Sequence, residues 1–302
     1  MAVAIELLFE LLEIDSPSAD EGPMADWIDA WVRSNCPEAR IARLGDSLIA
    51  LRGEMPSTAI FAHIDTTGFT LGYDSRLISI GSPAPEDGTP VRETRSSSEA
   101  PRRGIVRELE EVWELAEADG VPGTRWVYAT SPRQAGDQIV SPYLDNRAGV
   151  WAALNALTRC SSIAVAFTTG EEHSGQGAFV CGRYLYENYA IDQALISDIT
   201  WDTEHVHCGK GVAISLRDRM MPRQRFLDRV LSIAERSGIP FQREIESSGG
   251  SDGAYLQRSG FPIDWVFVGA PEKHPHTDHE VVDVRDLDAM ADMLVALVEG
   301  LE

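Results

Sequence analysis

Val165-Ala166-Phe167-Thr168-Thr169-Gly170-Glu171-Glu172-His173-Ser174-Gly175-Gln176-Gly177-Ala178 runs from an unbroken apolar segment into two adjacent glutamates, then glycines, then a helical pattern. An apolar run without polar alternation reads as a strand buried on both faces of an α/β sheet. Two like charges side by side at the end of such a strand are costly unless cations or protons offset them. One glutamate as a metal ligand beside another as a proton shuttle meets that condition. A carboxylate pair facing the dipole of a helix start is the competing reading.

Outward from this segment the same unit repeats. Residues 47–51, 58–62, 163–168, 194–197 and 264–269 read as strands. Helical spacing appears at 145–157, 177–188, 224–237 and 284–301, and near the N-terminus at 2–13 (Val3, Ile5, Leu7, Leu8, Leu11, Leu12) and 23–34. Strands that alternate with helices predict an α/β fold, a mixed and largely parallel sheet flanked by helices. Between residues 69 and 137 the texture changes to Gly, Pro, Ser and charge clusters, GSPAPEDGTP and RSSSEAPRRG, separated by short β-type runs. This predicts an inserted β-rich satellite domain at 69–137, within a catalytic domain made of 1–68 and 138–302.

The composition narrows the function. Forty-eight acidic residues against 26 basic ones give a formal net charge of −22, which disfavours nucleic acid and anionic membrane surfaces as partners. No apolar run reaches the ~18 residues of a membrane span. The four scattered cysteines (Cys36, Cys160, Cys181, Cys208) form no C-x-x-C pair and read as reduced thiols. The N-terminal segment carries acids where a signal peptide carries bases, so the expected location is cytoplasmic.

Four more segments bring acids or histidines to places where strands end or helices begin. Phe61-Ala62-His63-Ile64-Asp65 delivers H-x-D from a strand; a carboxylate two residues on can fix a ligand histidine's tautomer, though a lone H-x-D is more often structural. In Leu144-Asp145-Asn146-Arg147-Ala148-Gly149-Val150 an aspartate precedes a helix, as an N-cap or as a carboxylate that bridges two cations. Ser197-Asp198 closes another apolar strand, and His274-Pro275-His276-Thr277-Asp278-His279-Glu280 holds three histidines in six positions. His205 and His207 read as surface or supporting residues. Histidine and carboxylate donors without thiolate suit catalytic zinc, manganese or cobalt, placed where α/β folds carry their ligands.

In their order these motifs, with Gly209-Lys210-Gly211 and Gly249-Gly250-Ser251-Asp252, resemble the glutamyl and tetrahedral (deblocking) aminopeptidase family, peptidases with two co-catalytic metals. The resemblance implies a phosphorylase/hydrolase-like catalytic domain with a β-barrel satellite, and two divalent ions, zinc first with manganese or cobalt as alternatives. It implies His63 and Asp198 on one ion, Glu172 and His276 on the other, and Asp145 bridging. His276 is preferred over its neighbours because it lies four residues before Glu280. Glu171 is implied as the general base that activates a shared water, and Asp65 as the group that orients His63. The implied partners are a peptide or small amide substrate and further copies of the chain in a homo-oligomer, though the insert is shorter than in typical relatives. A related two-metal amidohydrolase or deacylase acting on a small N-acyl or peptide-like metabolite shares these ligands and is the alternative. A serine hydrolase is disfavoured because no G-x-S-x-G elbow occurs.

Overall fold

The computed structural model describes residues 4–94, 101–110, 112–173 and 175–302. Val3 of the first predicted helix, positions 95–100 of the RSSSEAPRRG stretch and Ser174 lie outside the described residues. The chain opens with helices α1 (Glu6–Leu12) and α2 (Gly22–Asn35), then strands β1 (Arg40–Leu44), β2 (Ser47–Arg52) and β3 (Thr58–His63). Six short strands follow: β4 (Gly68–Leu71), β5 (Arg76–Ile80), β6 (Pro90–Glu93), β7 (Arg103–Leu109), β8 (Val112–Ala116) and β9 (Arg125–Tyr128). The main unit resumes with β10 (Arg133–Ala135), β11 (Gln138–Ser141), α3 (Leu144–Arg159), β12 (Ile163–Thr168), α4 (Gln176–Tyr189) and β13 (Gln193–Trp201). It ends with β14 (Val212–Arg217), α5 (Gln224–Ser237), β15 (Phe241–Ile245), α6 (Asp252–Arg258), β16 (Asp264–Lys273), β17 (Glu280–Asp283) and α7 (Val284–Leu301).

Eleven strands form one mixed sheet in the order β1-β2-β12-β3-β13-β16-β17-β11-β10, with β14 on β16 and β15 on β14. Its centre, β12-β3-β13-β16, is parallel. Helices cover both faces, so successive side chains of a central strand each find apolar cover. In β3, Ile60 and Ala62 pack into the layer of α1, α2, α3, α5 and α7, whereas Ala59 and Phe61 pack into the layer of α4 and α6. β4-β5-β8-β7-β6-β9 close into a small barrel around Phe69, Leu77, Val106 and Trp126.

Two expectations shift in detail. β13 continues three residues beyond Asp198 because Ile199, Thr200 and Trp201 pair with Ala270, Pro271 and Glu272 of β16. Asp198 is therefore held inside a strand, not at its tip. At the start of α3, Asp145 and Asn146 depart from helical geometry, which frees the Asp145 side chain from a capping role. No described helix is long and apolar enough to cross a membrane.

Candidate active site

The parallel strands set the site's floor. Thr168 and His63 are register partners at the ends of β12 and β3, so the loop carrying Glu171 and Glu172 emerges beside the imidazole. His63 is buried, and its Nε2 lies 3.0 Å from Asp145 Oδ1 and 3.4 Å from Asp198 Oδ1. The other Asp145 oxygen, Oδ2, lies 3.4 Å from His276 Nε2, and Glu172 Oε2 lies 3.8 Å from that same nitrogen. Two groups result, His63–Asp145–Asp198 and Asp145–Glu172–His276, and Asp145 belongs to both with one oxygen toward each histidine.

Buried hydrogen bonds hold these groups in place. Asp65 is fully buried; it accepts from Ser18 Oγ at 2.6 Å and from the backbone N–H groups of Glu171 and Glu172 at 3.0 and 3.1 Å. Its Oδ1 also lies 3.4 Å from His63 Nδ1, so it fixes the imidazole and the glutamate loop together. Glu280 accepts from the backbone N–H of Asp145 at 3.1 Å and from that of His276 at 3.0 Å. The barrel contributes as well. His276 Nδ1 lies 2.9 Å from the Ser82 carbonyl, and Tyr128 donates its hydroxyl to the His276 carbonyl at 2.9 Å.

The electrostatics describe a nest short of positive charge. Burial, reinforced by Asp145, pushes Glu172 up to about 8. Burial, with Glu172, Asp198 and Asp252 adding to it and His63 opposing, holds Glu171 well above the usual carboxylate range. Burial opposes charge on His276, yet Asp145 and Glu172 lift it to about 10. Asp145 goes the other way: burial is overcome by His276 and His63, which keep it ionised. Glu172 Oε1 is buried without a hydrogen-bond partner. Donor spacings of 3.0–3.4 Å are those of neighbouring ligands on one ion bonded at roughly 2 Å. The uncompensated carboxylates, the orphaned oxygen and the sulfur-free donor set all fit divalent cations.

The seven residues anticipated from sequence thus converge: His63, Asp145, Glu172, Asp198 and His276 form the two groups, Asp65 underpins them, and Glu171 lines the cleft beside them. His205 and His207 are exposed. His274 and His279 pack on each other with their rings tilted by 40° and the centroids 5.0 Å apart. Three carboxylates near the site, Asp218, Glu244 and Glu272, sit in ordinary mixed segments and carry no distinguishing sequence signal; a fourth, Asp252, has the G-G-S-D context, which assigns it no role.

Comparison with known proteins agrees with this geometry. Residues 110–293 match the family description M42 glutamyl aminopeptidase. The chain is 28% identical over 173 residues to a putative aminopeptidase of Acetivibrio thermocellus, covering 54% of this chain and 52% of that protein. It is 23% identical over 345 residues to lysyl aminopeptidase of Pyrococcus furiosus, covering 98% and 97%. The fold is shared with aminopeptidase APDkam598 from Desulfurococcus kamchatkensis, with a TM-score of 0.86, 23% identity, and 98% and 94% of the two chains covered. It is shared also with a Pyrococcus horikoshii TET1 peptidase, described as able to assemble into a tetrahedron or a large octahedral shell, with a TM-score of 0.82, 21% identity, and 97% and 98% covered. Fold and family together define a hydrolase of the aminopeptidase type. The chain belongs to the M42 glutamyl aminopeptidase family.

Proposed function

We propose that the protein is a two-metal aminopeptidase that removes N-terminal residues from peptides. His63 and Asp198 would hold one ion, Glu172 and His276 the other, with Asp145 shared. The observation that carries the reading is the division of Asp145, one oxygen toward His63 and the other toward His276. When bound, the ions, zinc first, supply Lewis-acid polarisation of the scissile carbonyl and a lowered pKa for water. The chain's own residues do the rest. Glu171, whose burial raises its affinity for a proton, takes one from the attacking water and returns it to the leaving amine. Asp65 keeps Glu171 in reach by gripping its backbone N–H, and it holds the His63 ring at Nδ1. The four free thiols, three of them buried, support a reducing cytoplasmic setting. The assemblies described for relatives support a homo-oligomer.

The test combines metal content with substrate choice. Dialysis against a chelator should abolish hydrolysis of aminoacyl-anilides, and about two equivalents of zinc, manganese or cobalt per chain should restore it. Full activity in protein verified to be metal-free would sink the reading. Cleavage of N-acyl amino acids in place of aminoacyl-anilides would shift it to the amidohydrolase alternative.

A further inference from the structure

The cleft that contains Glu171 and the shared Asp145 is walled farther out by carboxylates that the hydrolysis above does not use. Glu244 comes from β15, Asp218 from the turn after β14, and Glu246 from the segment after β15. Phe267 and Trp201 add apolar surface to the same cleft, and its described lining contains no lysine or arginine. Asp218 is only 6% exposed; its Oδ1 accepts from the Met220 N–H, but its Oδ2 is buried with no hydrogen-bond partner. Glu244 is 4% exposed and is approached by the neutral hydroxyls of Thr200 and Ser215. Two arginines flank the wall and temper it: the Arg219 guanidinium lies against Gly250 of the cleft, and the charges of Arg219 and Arg217 both favour the ionised form of Asp218 against its burial. Arg217 donates to the Asp218 carbonyl, and neither Arg217 nor Arg219 forms an ion pair among the described residues.

A buried carboxylate oxygen without a partner is costly, and a mobile cation that arrives with its own donors removes that cost. We infer that this wall is a subsite for a cationic side chain, so that the enzyme releases N-terminal lysine or arginine in preference to apolar or acidic residues. The inference rests on the aminopeptidase reading and names its substrate class. A lysine or arginine head group would donate to Asp218 Oδ2 and lie among Glu244 and Glu246, with its aliphatic stem along Phe267 and Trp201. A glutamate side chain would instead add one more anion to a buried acidic wall. The rival occupant is the substrate's α-ammonium, which every free N-terminus carries and which confers no side-chain preference.

The test uses the zinc-loaded full-length protein on lysyl-, arginyl-, leucyl- and glutamyl-anilides. The lysyl and arginyl substrates should exceed leucyl in kcat/KM by roughly tenfold or more, the scale of one charge-assisted hydrogen bond, with glutamyl lowest. Asp218→Asn should lower the lysyl-to-leucyl ratio of kcat/KM roughly tenfold on the same scale. A ratio is indifferent to any loss of folded or metal-loaded protein. Glu246→Gln, at the better-exposed part of the wall, should lower the ratio in the same direction. Calorimetry should find L-lysine amide bound more tightly than L-leucine amide. Equal rates on lysyl and leucyl substrates, or an unchanged ratio in both variants, would overturn the cationic subsite while leaving the aminopeptidase reading intact. Failure to cleave any of the four anilides would overturn that reading and the subsite with it.

Discussion

Glu171 and Glu172 have identical side chains and adjacent positions, yet their surroundings separate them. Glu172 points an oxygen at His276, while Glu171 lines the cleft with burial and its acidic neighbours raising its proton affinity. On the proposed roles, Glu171→Gln keeps shape and metal content but cannot take a proton. It should lower kcat by at least the roughly 10²–10⁴-fold credited to acid–base transfer. Glu172→Gln should instead lose affinity for one ion and make activity depend on added metal. Metal stoichiometry measured alongside kcat decides; a lost ion in Glu171→Gln with both ions kept in Glu172→Gln reverses the assignment. The pair was legible in sequence because adjacent glutamates after an apolar strand need an explanation. Asp218, Glu244 and Glu272 were not, since a single acid in a mixed segment looks like solvent-facing charge until the fold buries it.

At the scale of elements, the start of α3 is fastened to the loop that follows His63 by one buried cation. Arg147 is fully buried; it donates to the Ile64 carbonyl at 2.8 Å, to the Ile14 carbonyl at 3.2 Å and to Ser16 Oγ. Arg147→Met keeps much of the volume but strips donors from these carbonyls. It should lower stability by roughly 2–4 kcal/mol, since each buried group left unsatisfied costs about 1–3 kcal/mol. Guanidinium melts measure it, and a loss below about 1 kcal/mol would mean that water replaces the guanidinium. Helices α5 and α7 occupy the residues their apolar spacing predicts, because one strongly patterned face suffices to define a helix. β10, β11 and β15 carry no such signal. Each is three to five residues long and is defined by the neighbour it pairs with, not by a pattern of its own.

For the whole molecule, the barrel is more than an appendage, because Ser82 and Tyr128 hold the ring and carbonyl of His276. Its β-rich character was legible from turn-forming residues, but its grip on the site was not, since nothing local links Tyr128 to a residue 148 positions later. The short insert leads us to expect a homo-oligomer smaller than the dodecamer described for a structural relative. Light scattering should return a mass well below twelve subunits, and a mass near twelve would show that a short barrel still builds the full shell. Glu280, which reaches back 135 residues to Asp145 while it holds His276 four residues before it, carries a consequence for biosynthesis. A chain still being translated has no complete centre until that late glutamate and the histidine before it have emerged. On the proposed reading, hydrolysis therefore waits until the chain has been made as far as Glu280, and a fragment that stops short of it lacks the group that ties Asp145 to His276.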